Sequence, residues 1–312
     1  MPYDNIISRT DSQALVPEDV SNRLLQGMIN QSASLTLFPR VPMARNQQRM
    51  PVLSALPTAY FVNGDTGLKQ TSEQAWSNKF LNVEELAVII PIPENVLDDT
   101  SYDVWGSIQP NMEQAIGRAL DAAIFFGVNA PASWPTNVVA GAIAAGNQYT
   151  RGTNNAAAGG IAADISNLMG LIEADGYDAQ AAIANRTWRG LLRNVRDSVG
   201  DRLLEVNPTD MYGTPVTYPM RGLWPTGSDV AEMIVGDYAG NGILGVRSDF
   251  TYKMLTEAVI QDNTGAIIYN LAQQDMVAMR LTFRVAWQIA NIINYDQSDE
   301  SARYPFGVML TP

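Results

Sequence analysis

The stretch AVIIPIPENVLDDTSYDVWGSIQPNMEQAIGRALDAAIFFG, residues 87–127, passes from an apolar alternation through two prolines and a knot of acids into an apolar stripe of helical period. Leu86, Val88, Ile90 and Ile92 alternate with smaller or polar neighbours, the signature of a strand. Proline donates no backbone hydrogen bond, so Pro91 and Pro93 are expected to end that strand's ladder. Asp98, Asp99, Thr100, Ser101 and Asp103 can cap a helix, and acids complement its positive end. Trp105, Ile108, Met112, Ile116, Ala119 and Leu120 then recur at helical spacing to about Phe126, with Gly127 as the stop. Pro110 lies inside this run and is expected to kink or break it against the carbonyl near Gly106. Read as a catalytic pair, Asp98 and Asp99 fail: adjacent side chains diverge, and no histidine, cysteine or basic partner stands nearby.

A second decisive stretch begins at Val277. Val277, Met279, Leu281, Phe283, Val285, Trp287 and Ile289 alternate strictly with Ala278, Arg280, Thr282, Arg284, Ala286, Gln288 and Ala290. This is a strand longer than the usual range, so it must cover something equally long, such as the helix ending near Phe126. Residues 58–92 read as a long hairpin. TAYFV leads into the turn cluster Asn63–Gly67, the polar tip KQTSEQAWSNK follows, and FLNVEELAVIIPI returns. Near the N-terminus, Pro17, Glu18 and Asp19 open a short helix with Val20, Leu24 and Met28 at fourfold spacing. Its stripe is narrow, which suits either a surface helix or an arm docked on a neighbour. Residues 131–160, rich in Ala, Gly and Asn, read as a loop-like boundary. Helices are expected at 161–174, stopped by Gly176, and at 185–195, with strands near 214–218, 231–236 and 243–259.

Composition narrows the function classes. The 312-residue chain is 46% hydrophobic and 17% charged, with the apolar content of a globular protein. It has no cysteine and no histidine, which excludes disulfides, thiolate zinc sites and Ser-His-Asp or Cys-His catalysis. Net charge is −12, and no continuous basic run interrupts it, so the surface as a whole repels phosphate. No apolar run is long enough to predict a membrane span, and the first residues carry no secretion signal. Gly240-Asn-Gly-Ile-Leu-Gly245 spells G-x-G-x-x-G after a strand, but VRSDFTYKMLTEAVI follows without a helical stripe. A turn between strands is therefore expected there rather than a dinucleotide site. No phosphate loop or calcium loop is present, and Asn63–Gly67 is too short and too poor in ligands for calcium. Glu84 and Glu85 are neighbours on a strand and face opposite sides. The six tryptophans are scattered and read as core or interface anchors.

In order and spacing, IPIPENVLDDTSYDVWGSIQPNMEQAIGRALDAAIFFG, AAIANRTWRGLLRNVRDSVGDRLL, MYGTPVTYP, EMIVGDYAGNGILGVRSDFTYKMLTEA and DMVAMRLTFRVAWQIAN resemble successive elements of tailed-phage major capsid proteins of the Hong Kong 97 type. The resemblance covers roughly residues 30–296. It implies an α+β fold with an N-terminal arm (1–30), a peripheral domain starting at 31–57 and an extended β-hairpin loop (58–83). A peripheral part with the spine helix (84–134), an axial domain (135–250), long peripheral strands (251–296) and a C-terminal return to the axial domain (297–312) complete it. The implied function is a shell of hexamers and pentamers around double-stranded DNA that is packaged without specific binding. No enzymatic activity, cofactor, metal or membrane is implied. Val20, Leu24 and Met28 of the arm and Phe61, Lys69, Trp76, Lys79 and Phe80 of the loop are the expected contacts between subunits. The shell of an encapsulin nanocompartment shares the fold and is the nearer alternative; a nucleotide-dependent enzyme built on Gly240–Gly245 is the remote one.

The family's type member locks its shell with a lysine-to-asparagine bond assisted by a glutamate. Here Lys69 and Lys79 are available, but the asparagine position falls near Asp275 and the glutamate near Thr282, so the resemblance implies a noncovalent shell. The absence of a long scaffold-like segment ahead of the arm implies a separate scaffolding protein. A portal and a decoration protein are further expected partners, with assembly in the host bacterial cytoplasm.

Overall fold

A computed structural model of the chain describes residues 32–64, 66–100, 103–196, 206–219 and 222–312. In chain order it begins with α1 (Ala33–Leu37), β1 (Arg40–Pro42), the hairpin strands β2 (Gln47–Ala55) and β3 (Ala75–Asn82), and β4 (Glu84–Pro93). Next come α2 (Glu94–Asp99), α3 (Val104–Phe126), α4 (Val138–Ala145), β5 (Gln148–Thr150), α5 (Gly160–Ala174), β6 (Ala181–Ala184) and α6 (Trp188–Arg193). The remainder is β7 (Asp210–Met211), β8 (Thr214–Thr217), β9 (Ala231–Gly236), α7 (Tyr238–Asn241) and β10 (Gly242–Leu255). A small hairpin β11 (Val259–Gln261) and β12 (Ile267–Asn270), then β13 (Met276–Ile289) and β14 (Phe306–Leu310), close the chain.

Helix α3 and strand β13 organise the fold. Asp103 caps α3 by accepting from the Gly106 amide at 2.9 Å, and Gly127 ends it at φ 72°, where a Cβ would strike the Asn137 side chain. The helix runs through Pro110 unbroken. An interior proline costs about 3 kcal/mol, whereas each fully buried Met, Ile or Leu contributes roughly 1.5–3 kcal/mol. Met112, Ile116, Leu120 and Ile124 are all buried beyond the proline, so burial wins. They pack on the apolar face of β13, where Met279, Leu281, Phe283, Val285, Trp287 and Ile289 are buried in the same cluster.

Strand β13 lies in a four-stranded sheet of order β1-β10-β13-β4. The two prolines do not end the β4 ladder: Pro91 pairs with Ala278 and Pro93 with Met276. β4 is the sheet's edge, so a missing N–H can face outward and leave the ladder intact. The acids also divide differently from expectation. Asp98 and Asp99 close the separate short helix α2, and only Asp103 caps α3.

The second sheet has six strands in the order β5-β14-β9-β6-β8-β7. Its central strands are buried on both faces, which is why AAIA, AEMIVG and FGVML read as apolar runs without alternation. One face, including Ile183, Ile234, Phe306 and Val308, joins the core shared with α3 and β13. The other packs Ala182, Met233, Val235 and Met309 against Ile165, Leu168 and Ile172 of α5 and against Trp188 and Leu192 of α6. The last residues thus supply a strand inside this sheet, between β5 and β9. The Ala/Gly-rich stretch expected as loop holds α4 and β5. Asn137 caps α4, Gly146 ends it at φ 87°, and alanine is the strongest helix former.

The first glycine of the G-x-G-x-x-G stretch lies in a single helical turn, α7, which runs directly into β10, so the second and third glycines sit in a strand. The glycines serve packing. A Cβ on Gly242 would lie 2.1 Å from the Phe38 ring, and one on Gly245 would lie 2.3 Å from Met43 Sδ.

The segment entering α1 is fastened to α3 by one buried carboxylate. Asp121 accepts from the hydroxyls of Ser32 and Ser34 and from the amides of Ala33 and Ser34. Burial pushes its carboxyl pKa up, against the opposing pull of these donors. Asp121→Asn replaces an acceptor with a donor aimed at other donors. It is expected to destabilise the subunit by roughly 1–3 kcal/mol, read by urea denaturation, while Asp98→Asn leaves stability within about 0.5 kcal/mol.

Candidate inter-subunit surface

The hairpin β2–β3 forms its own two-stranded sheet, with Gln47 opposite Asn82 and Leu53 opposite Trp76. The outgoing arm therefore begins at Gln47, well before the expected TAYFV, and Thr58–Val62 is no strand. QQRMPVLSA shows no clean alternation, opening with three polar residues and continuing Met50, Pro51, Val52, Leu53, and its Pro51 is one that a ribbon made only of edge strands tolerates. Nor does the expected return FLNVEELAVIIPI form one arm: Phe80–Asn82 belongs to β3, whereas β4 pairs with β13 in the main sheet.

The root of the hairpin is fixed to its own chain. Leu81 is fully buried with Met43 and Ala286. The Trp134 indole donates to the Asn82 carbonyl at 3.1 Å, and the Asn82 amide donates to the Ser133 carbonyl at 3.0 Å. Gln288 Nε2 donates to the Phe80 carbonyl at 3.0 Å, and Arg284 donates to Asn46 Oδ1 at 3.1 Å. Lys79 Nζ lies 2.9 Å from Glu300 Oε1. The Tyr295 hydroxyl donates to the Pro57 carbonyl at 2.9 Å, where the long tip starts.

Beyond this root, the described residues of the tip, 56–64 and 66–74, form no regular strand or helix. The Tyr60 hydroxyl donates to the Gln70 carbonyl at 2.8 Å and the Thr58 amide to Ser72 Oγ at 2.7 Å. Phe61 is completely exposed at 104%, Leu68 at 89% and Trp76 at 65%, while Phe80 and Lys69 also face solvent. A hairpin with anchored roots and bare apolar residues toward the tip is built to be covered by something outside its own chain. Of the expected contact residues, Phe61, Lys69, Trp76 and Phe80 come together on this hairpin. Lys79 is instead paired within its own chain, and Val20, Leu24 and Met28 lie outside the described residues.

A second apolar surface escaped the sequence reading. On β11–β12, Val259 is 50%, Ile267 63% and Ile268 49% exposed. Ile267 and Ile268 are adjacent on a strand, so both faces of this hairpin are apolar. That doublet behind the turn at Asp262–Gly265 was the available signal. Among the described residues no cluster of three or more Asp or Glu could hold a metal ion, and no helix is long and apolar enough to cross a membrane.

The sequence profile of the phage capsid family matches residues 12–292. The major capsid protein of Staphylococcus phage 80alpha is 26% identical over 292 residues, covering 92% of this chain and 86% of its own length. A solved structure from Microbacterium phage Oxtober96 is 38% identical with a TM-score of 0.85, covering 99% of this chain and all of its own. One from Mycobacterium phage Bobi is 32% identical at the same TM-score, covering 99% of each chain. The chain belongs to the phage capsid family, with the Hong Kong 97-type fold of a tailed-phage major capsid protein. It is a structural component of the virion shell and works by associating with copies of itself.

The hydrogen bond from Lys79 holds the Glu300 carboxyl below its ordinary range. A depressed carboxyl pKa stabilises above its unfolded value and is lost as pH falls through the folded one, so acid loosens this latch. The pair is partly exposed, so its effect is small. Lys79→Met is expected to raise thermolysin cleavage of the hairpin at neutral pH by less than about fivefold, and Glu300→Gln to remove the acid sensitivity of that cleavage.

Proposed function

We propose that this protein builds an icosahedral shell of hexamers and pentamers that encloses the double-stranded DNA of a tailed phage. The observation that carries the reading is the β2–β3 hairpin: a root held by the subunit's own side chains, and a tip of uncovered aromatic and aliphatic residues. On this reading the tip lies over a neighbouring subunit and the N-terminal arm docks in the same way. The body around the six-stranded sheet is the axial domain, and the body around α3 and β13 is the peripheral domain. Val20, Leu24, Met28, Phe61, Lys69, Trp76 and Phe80 make the contacts, and Lys79 positions the hairpin through Glu300.

The protein does no chemistry in this role. Its −12 charge suits a container that holds DNA without gripping it, so genome entry and exit are not opposed by tight binding. A scaffolding protein, a portal and a decoration protein are the further partners, and assembly takes place in the host bacterial cytoplasm. The test is expression with the helper proteins, followed by negative-stain microscopy and light scattering. Closed particles are expected from the natural chain. A Phe61→Ser, Leu68→Ser, Trp76→Ser variant should keep its folded subunit but lose particles; a natural chain that stays monomeric at high concentration would overturn the reading. We further propose that the shell is noncovalent. Denaturing gels of mature particles should show a monomer band, and a ladder of linked rings would refute this.

A further inference from the structure

The chain carries 20 Lys and Arg against 32 Asp and Glu, so a shell of identical copies sets net −12 beside net −12 at every contact. Such bodies repel, most strongly where surfaces meet and water is excluded. Scarce cations are therefore most valuable where copies touch. They are not evenly spread. Arg186, Arg189, Arg193 and Arg196 fall within eleven residues, on α6 and the segments flanking it. Arg189 and Arg193 stand one turn apart and exposed, while Trp188 and Leu192 bury the other side of the helix. Arg196 is exposed just beyond. The Arg189 guanidinium lies 4.3 Å from the centre of the Tyr218 ring, and Arg193 Nε donates to the Arg189 carbonyl at 3.0 Å. These contacts hold the two side chains in place, so less rotamer freedom is lost when a partner arrives. Among the described residues, Arg151 and Arg284 have ion-pair partners, whereas Arg189, Arg193 and Arg196 have none.

Beside this ridge is a groove of about 640 Å³ with Ile161, Leu191 and Val195 on its walls and Asn154, Asn194 and Arg196 among its polar groups. The start of α5, at Gly159 and Gly160, opens into it without a side-chain cap and adds a partial positive charge. Apolar walls with a basic rim distinguish between two anionic occupants. A phosphate-sugar backbone is polar and leaves apolar walls bare. A protein segment with an apolar residue beside an Asp or Glu fills the groove and meets the arginines. A ring of identical copies also needs two different, complementary faces on each copy.

We propose that the α6 arginine ridge and its groove receive an acidic, apolar-tipped segment of a second copy and hold neighbouring copies together within a ring. This rests on the self-assembly reading above and adds the face that offsets the charge repulsion. The test compares the natural chain with Arg193→Glu/Arg196→Glu and Arg193→Lys/Arg196→Lys, each co-expressed with the helper proteins. Circular dichroism melts report folding; light scattering and negative stain report particles. The Glu pair is expected to melt like the natural chain yet give at least about tenfold fewer closed particles, because like charges at a contact are strongly disfavoured. The Lys pair should assemble. Should the Glu pair unfold the subunit, Arg193→Gln/Arg196→Gln is judged by the same criterion. Particle yield for the Glu pair equal to that of the natural chain overturns the proposal. Normal shells from the Glu pair, combined with loss of a duplex-DNA affinity that the natural subunit shows, overturn it in favour of a nucleic-acid face. If the natural chain itself fails to assemble, the self-assembly reading falls first and this proposal with it; natural assembly beside failed assembly of the Glu pair supports both.

Discussion

The contact between α3 and the apolar face of β13 is the constraint on which the rest depends. The helix has 23 residues and the strand 14, and their buried side chains form one continuous seam. Every other part is placed relative to it. Asp121 on the helix binds the chain at Ser32–Ser34 and so fixes the start of α1. Gly242 and Gly245 let Phe38 and Met43 press onto β10, beside β13. One face of the six-stranded sheet contributes to the same core, which makes the two sheets mechanically continuous.

A subunit organised this way keeps its stability and its adhesive surfaces in different places. The core is buried, whereas among the described residues Phe61 and Leu68 of the β2–β3 tip and Val259, Ile267 and Ile268 of the β11–β12 hairpin stand exposed. Each is an outgrowth from the rigid sheet system. β2–β3 is braced by Trp134, Gln288 and Lys79, and β11–β12 bridges the ends of β10 and β13. Rigid roots under uncovered tips let a subunit present its sticky parts in a set direction, which a closed shell requires and a free-swinging arm would not provide.

Electrostatics acts as the counterweight. The acidic excess limits affinity for nucleic acid, and it also makes copies repel one another. On the proposed reading, the apolar hairpin tips and the α6 arginines act against that repulsion.

Several features were legible in the residues alone. The helix from Trp105 to Phe126 with its Gly127 stop, though not its unbroken passage through Pro110, the strand from Val277, the helix 161–174 and the turn between strands at Gly240–Gly245 follow from period, capping and glycine placement. These are local rules, or they depend on a face long enough to betray its period. The ordered resemblance of these pieces then indicated the family. Only the tertiary structure decided how the prolines were accommodated, because Pro91 is tolerated solely through β4 being an edge, and edges are set by which strands come together. The same holds for the hairpin's true outgoing arm, for α4, and for β14 between strands far away in sequence. Asp121 illustrates the reason: its partners stand 87 to 89 residues away, a separation that no local period can encode.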